Sequence, residues 1–261
     1  MKRTLAGRTI VVTRPAEQEA PLVRELERRG ARVLVAPTIR LVPARSAALT
    51  AALKELAAGR FDWITLTSAA TVDVLRDRLA SPRDVRSKVA VIGDGTAAAF
   101  RRWAGRDPDL QPTTFTTAAL ARAFPRGSGR VLCARADIAP EGLEDALTIK
   151  GWETERVDAY RTVFATSLPR EARDALGRGD IDAVTFTSAS TVRGFVDALG
   201  GEAIREASGG PPRVVCIGPV TAAAARDAGL RPAAVARPHT LEGLLEALER
   251  ALFRARPRDL S

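Results

Sequence analysis

Two junctions in the chain share one make-up. A β-branched apolar run leads into Thr67-Ser68-Ala69, another leads into Thr187-Ser188-Ala189, and each opens a helix-like segment. A small hydroxyl at a strand-to-helix turn caps the helix, and the same turn presents hydroxyl and backbone N–H groups to an anion. A second pair of junctions reads I-G-x-x-T-A-A, with Gly93 and Thr96 in one copy and Gly218 and Thr221 in the other. Neither copy has GxGxxG or a GxxxxGKS/T phosphate loop, and the acidic residue and third glycine of a dinucleotide site are missing. A carboxylate-bearing ligand suits these turns better. Arg14, directly after the first apolar run, adds a basic side chain to a turn of the same kind.

The inventory for acid–base or covalent chemistry is thin, because His239 is the only imidazole and Tyr160 the only phenol. No Ser-His-Asp or Cys-His set can be assembled from it. His239, between Pro238 and Thr240, is expected in an exposed loop before a helix. Cys133 and Cys216 sit inside apolar runs (RVLCA, RVVCI) and are expected to be packed thiols. With no CxxC and no HExxH, no metal site is expected.

The elements that must position these residues follow from periodicity. RTIVVT, then PAEQEAPLVRELERRG with Leu22 and Leu26 on one face, then RVLVAP form a βαβ unit. The rhythm predicts helices over 46–58, 69–80, 95–104, 117–124, 140–150, 169–178, 189–199, 219–228 and 240–253. Strands are predicted over 62–66, 88–92, 130–134, 154–164, 182–187 and 213–217. This alternation implies parallel sheets covered by helices on both faces. The chain also repeats itself at roughly 120 residues: FDWITLTSAATVDVL matches IDAVTFTSASTVRGF at 7 of 15 positions, and VAVIGDGTAAAF matches VVCIGPVTAAAA at 7 of 12. Two copies of one fold are expected, the second with an extra Gly- and Pro-rich loop around Gly200 to Pro212. TIRLVP in the first copy pairs with VDAYRT in the second, and both read as strands with wet faces.

A chain of 261 residues with 46% hydrophobic content can bury a large core. No apolar run approaches the roughly 20 residues of a membrane span, and Arg14 and Pro15 interrupt the start of the chain before a signal-peptide core can form. A mature chain beginning near Met1, in the cytoplasm, is expected. The net charge of +9 favours an acidic partner. Charge alone does not choose among nucleic acid, an anionic membrane surface and a small polyanion; aromatic residues at only 5% and arginines spread over amphipathic helices count against nucleic acid, and solvated helix faces are the plain alternative.

Taken in order, VVTRP, DWITLTSAATV, VIGDGTAAAF, VDAYRT, DAVTFTSASTV, CIGPVTAAA and RPHTLEGLLEAL resemble the uroporphyrinogen-III synthase family over about residues 7–253. The resemblance implies an α/β fold of two flavodoxin-like domains with parallel sheets, joined by a two-stranded connector. One domain would comprise 1–37 plus 167–261, the other 43–156, with connectors at 38–42 and 157–166. It implies cyclisation of hydroxymethylbilane, a linear tetrapyrrole with eight carboxylates, with no cofactor and with neither nucleic acid nor a membrane as partner; a monomer is the default expectation. Water is lost and the terminal pyrrole ring is inverted. Carried over by position, the family's tyrosine falls on Tyr160, the threonine after the glycine turn on Thr96, and the threonine before the last helix on Thr240. Tyr160 would assist departure of the hydroxyl. Thr96, Thr240, Ser68, Ser188, Thr221 and Arg14 would hold the carboxylates. The alternative is a noncatalytic two-lobed ligand-binding or regulatory protein derived from the same fold. Related chains can carry a winged-helix domain, for which the closing RALFRARPRDLS is expected to leave no room.

Overall fold

A computed structural model describes residues 4–200 and 212–253, so most of the loop expected around Gly200 to Pro212 lies outside the described residues. In chain order the first elements are β1 (Thr9–Val12), α1 (Ala16–Arg28), β2 (Arg32–Val35), β3 (Ile39–Pro43), α2 (Ala47–Ala57), β4 (Trp63–Leu66) and α3 (Ala69–Arg78). After a short 3-10 turn come β5 (Lys88–Val91), α4 (Asp94–Ala104), α5 (Thr117–Ala123), β6 (Arg130–Ala136), α6 (Leu143–Thr148) and β7 (Glu153–Phe164). The rest is α7 (Arg170–Arg178), β8 (Ala183–Phe186), α8 (Ala189–Leu199), β9 (Arg213–Cys216), α9 (Pro219–Asp227), β10 (Pro232–Val235) and α10 (Leu241–Phe253). The chain divides into two compact units, Met1–Arg40 with Val163–Ser261, and Leu41–Thr162.

The discontinuous unit carries a five-stranded sheet of order β10-β9-β8-β1-β2, parallel throughout. Its strands are apolar on both faces because both faces are covered. Ile10 and Val12 pack with Leu22, Leu26, Leu244 and Leu248 of α1 and α10. Val11, between them, points the other way, into a core with Phe186 and Phe195. Those two rings meet edge-on at 5.3 Å. Each such fully buried side chain stabilises the fold by about 1.5–3 kcal/mol through apolar burial.

The continuous unit carries the sheet β3-β7-β6-β4-β5, in which β4 pairs in parallel with β5 and β6, and β6 with β7. Leu49, Leu53, Leu56, Val72, Leu75 and Phe100 of α2, α3 and α4 fill one face. Trp63, Leu120, Phe124, Leu147 and Trp152 fill the other. In both units the strand order reverses next to the first strand of the βαβ winding, between β1 and β8 in one and between β4 and β6 in the other. The carboxyl ends flanking such a reversal form a crevice that helices do not cover.

Three elements differ from the periodicity. β10 was not expected. Its Pro-Ala-Ala-Val composition is a weak strand signal, and it persists only at the sheet edge, paired with β9 alone, where a proline's missing N–H costs no ladder bond. The helix expected over 140–150 is confined to Leu143–Thr148, after Gly142 in a left-handed conformation. In β7 the simple alternation breaks, since Asp158 pairs with Arg135 and Tyr160 with the next residue, Ala136. Ala159 is the extra residue of a bulge. Ala159 and Tyr160 are therefore both buried, while Asp158 and Arg161 on either side are both exposed.

Candidate active site

In the continuous unit the bulge aims Tyr160 at the end of β4. Tyr160 is 8% exposed, and its hydroxyl donates to Ser68 Oγ at 3.0 Å. Ser68 has the extended backbone of an N-cap, and its Oγ also accepts from the Thr71 backbone N–H at 3.3 Å, with Thr71 Oγ1 3.1 Å away. A serine oxygen has two lone pairs and one proton. With Tyr160 and the Thr71 amide as donors, the proton of Ser68 is left for Thr71 Oγ1 or for a ligand. Burial pushes the phenol of Tyr160 above its usual range, against a smaller opposing effect of the Ser68 bond, and nearby Asp137 adds to the rise. Tyr160 is neutral at physiological pH.

Asp137 is a residue of this corner that sequence reasoning missed. It follows β6 on the far side of the strand reversal, its backbone N–H donates to the Tyr160 carbonyl at 3.1 Å, and its Oδ1 accepts from the Thr162 N–H at 2.9 Å. It thereby holds the segment that carries Tyr160. No motif marks it; only the pairing of β6 with β7 brings it there. Arg135, also unmarked, is 1% exposed and makes a two-pronged contact with Glu144 at 2.9 and 3.0 Å.

One strand further on, Gly93 has φ +78° and begins α4, a backbone that favours glycine. Thr96, 6% exposed, lies in the first turn of that helix, beside Asp94, whose Oδ1 accepts from Gln111 at 2.8 Å. Among the described residues no hydrogen bond links Thr96 to the Tyr160–Ser68 pair.

The discontinuous unit repeats the scaffold without the phenol. At the end of β1, Thr13 donates to the Thr185 carbonyl at 2.8 Å, and Arg14 follows, half-buried, its guanidinium lowered below the usual value by desolvation. At the end of β8, Ser188 caps α8 by accepting from the Thr191 N–H at 3.2 Å, but its neighbour is Ser190 Oγ at 2.9 Å rather than a tyrosine. The repeat places Ile39 where the other copy has Tyr160. Thr221 is 4% exposed in the first turn of α9, and the preceding Gly218 is extended, with φ −166°. Thr240 Oγ1 accepts from the Gly243 N–H at 3.2 Å and so caps α10. His239 is not in an open loop: it is half-buried, with Nδ1 2.8 Å from the Ala236 carbonyl. Cys133 and Cys216 are buried, and desolvation pushes their thiols up to about 12 and about 11, which removes them as nucleophiles. Among the described residues no group of three or more His, Cys, Asp or Glu side chains could hold a metal ion, and no helix is long and apolar enough to cross a membrane.

The family model for uroporphyrinogen-III synthase HemD matches residues 20–246. The chain is 32% identical over 260 residues to the uroporphyrinogen-III synthase of Synechococcus elongatus, covering 95% of this chain and 97% of that one. The chain belongs to the uroporphyrinogen-III synthase family. Two solved structures share the fold of this uroporphyrinogen-III synthase family member. A mutant uroporphyrinogen III synthase from Thermus thermophilus superposes with a TM-score of 0.67 at 22% identity, over 95% of this chain and 100% of that one. The Helicobacter pylori enzyme does so with a TM-score of 0.59 at 17% identity, over 92% and 97%. Within this uroporphyrinogen-III synthase framework, the structure brings Tyr160 and Ser68 into contact. Thr96 stands one strand away at the same sheet edge. Arg14, Ser188, Thr221 and Thr240 lie at strand-to-helix turns of the other unit.

Proposed function

We propose that the protein cyclises hydroxymethylbilane to uroporphyrinogen III, with Tyr160 as the side chain that assists loss of the hydroxyl. Family membership over most of the chain favours this reading over a noncatalytic ligand-binding module. The single observation that supports the role of Tyr160 is its hydroxyl contact with Ser68 at the uncovered strand reversal of its sheet. The pyrrole nitrogen lone pair expels the hydroxymethyl oxygen, which leaves as water once a proton reaches it. The substituted α-carbon of the terminal ring attacks the methylene of the remaining azafulvene, and the spiro intermediate fragments and recloses with that ring reversed. A buried phenol is a poor source of a fully transferred proton, since its phenolate is disfavoured there. Tyr160 therefore acts best as a hydrogen-bond donor to the departing oxygen, exchanging its bond to Ser68 for one to substrate. The proton itself comes from solvent and is returned when the last ring carbon loses its hydrogen.

The rest of the task is positional. Holding a flexible chain in one reactive shape can supply much of the rate, and it excludes simple head-to-tail closure. Ser68, Ser188, Thr96, Thr221, Thr240 and Arg14, with the N–H groups of their helix starts, are the proposed carboxylate contacts. The deciding experiment gives purified protein freshly generated hydroxymethylbilane and separates type III from type I porphyrin after oxidation. The reading requires type III in excess; the type I ratio of the uncatalysed reaction would reject it.

A further inference from the structure

The continuous unit has a second basic feature, at the turn from β3 into α2. A groove of about 630 Å³ lies between β7 and the turn from β3 into α2, lined by Arg45, Ser46, Arg156, Asp158 and Arg161 together with small apolar groups. Its volume falls in the range of about 300–1,000 Å³ typical of small-molecule sites. Three guanidinium groups and one carboxylate give the groove a formal charge of +2. Among the described residues none of these four side chains forms an ion pair, whereas Arg130 of the same unit is engaged by Glu55 at 2.6 Å and Glu155 at 2.7 Å. Three cations gathered around a single carboxylate leave excess positive charge that repels itself, and a bound anion relieves this.

The groove is also preorganised. Arg156 is half-buried, and its Nη2 donates to the carbonyls of Asp137 and Ala139 at 3.4 and 3.3 Å, which fixes the guanidinium without neutralising it. The β7 bulge turns Arg161 outward immediately after Tyr160 turns inward. Ser46 caps α2 by accepting from the Leu49 N–H at 3.1 Å, so the positive end of an 11-residue helix opens on the same groove.

We propose that this groove binds a small oxyanionic molecule carrying at least two negative charges, a polycarboxylate or a phosphate ester, through Arg45, Arg156 and Arg161. The proposal does not depend on the tyrosine mechanism, because binding is read without turnover. Isothermal titration of the full chain with citrate, at low ionic strength, should give saturable binding. Arg45→Gln and Arg161→Gln, both at exposed positions, should each weaken it roughly tenfold or more, as expected for the loss of a charge-assisted contact, with unchanged thermal melting. Arg24→Gln, outside the groove, should leave it unchanged. A repeat with uroporphyrin as competitor distinguishes the anion's source. Displacement of citrate means the groove takes the tetrapyrrole's own carboxylates, and KM should then rise in the arginine variants with kcat retained. Undisturbed citrate binding means the groove takes a separate small anion. Absence of citrate binding, or equal binding by wild type and both groove variants, overturns the proposal.

Discussion

Tyr160 and the two cysteines share one physical circumstance, burial of an ionisable group in its neutral form, and this yields two predictions. Tyr160→Phe keeps the ring in the core and removes one hydroxyl. It should lower type III formation by roughly 10- to 1,000-fold, within or just below the usual contribution of a general acid. Stability should fall by only about 0.5–1.5 kcal/mol for the lost bond to Ser68. Product analysis beside calorimetry checks both; full rate and full type III selectivity would remove the phenol from the mechanism. The second prediction concerns alkali. The thiols of Cys133 and Cys216 are held up to about 12 and about 11, and Tyr160 is raised as well. Above about pH 9 the unfolded chain loses these protons while the folded chain retains them, so stability falls as pH rises. Below about pH 8 these groups contribute no slope, being protonated in both states. Melting temperature against pH should therefore be level from these groups near neutrality and decline through pH 9–11. In Cys133→Ala with Cys216→Ala the decline should begin nearer pH 10, and an unchanged profile would show that the thiols do not set it.

The duplicated T-S turn is an element with two duties that the repeat allows to be separated. Ser68 and Ser188 each cap a helix through the same amide contact, at 3.3 and 3.2 Å, but only Ser68 meets a phenol. Each Ser→Ala substitution should cost about 1 kcal/mol of stability as a lost N-cap. Ser68→Ala should in addition reduce turnover several-fold, because the phenol loses the partner that orients it, while Ser188→Ala should have the milder kinetic effect of one carboxylate contact among several. Melting curves and steady-state rates on the two variants decide this, and equal kinetic losses would mean that both serines act only as caps or only as anion contacts. The turns were legible in the sequence because capping is local, set by a hydroxyl and the amide three residues later. β10 was not legible, since a Pro-Ala-Ala-Val segment becomes a strand only when β9 offers it an edge. The bulge at Ala159 was likewise hidden. Alternating polarity describes a regular strand, and the extra residue exists only relative to the register of β6.

For the whole molecule, the net charge of +9 and the eight carboxylates of the proposed substrate predict salt-sensitive capture. The Debye length shrinks from about 30 Å at 0.01 M to about 8 Å at 0.15 M, which screens long-range attraction. kcat/KM for hydroxymethylbilane should fall over that interval with kcat nearly constant, and a salt-independent value would assign binding to backbone amides and leave the arginines only solubilising. The sequence by itself determined the α/β class, the duplication, the apolar strands and the helix-start hydroxyls, since periodicity, repetition and capping depend on residues a few positions apart. It also determined the family, through motifs in a set order. Only the tertiary structure decided which strands are neighbours, such as β1 beside β8, where Thr13 bonds Thr185 across 172 positions. It likewise decided that Tyr160 points inward to Ser68, that Asp137 braces it, and that Arg45, Arg156 and Arg161 line one groove. Those placements depend on pairing energies and register between segments distant along the chain, which no local pattern of residues encodes.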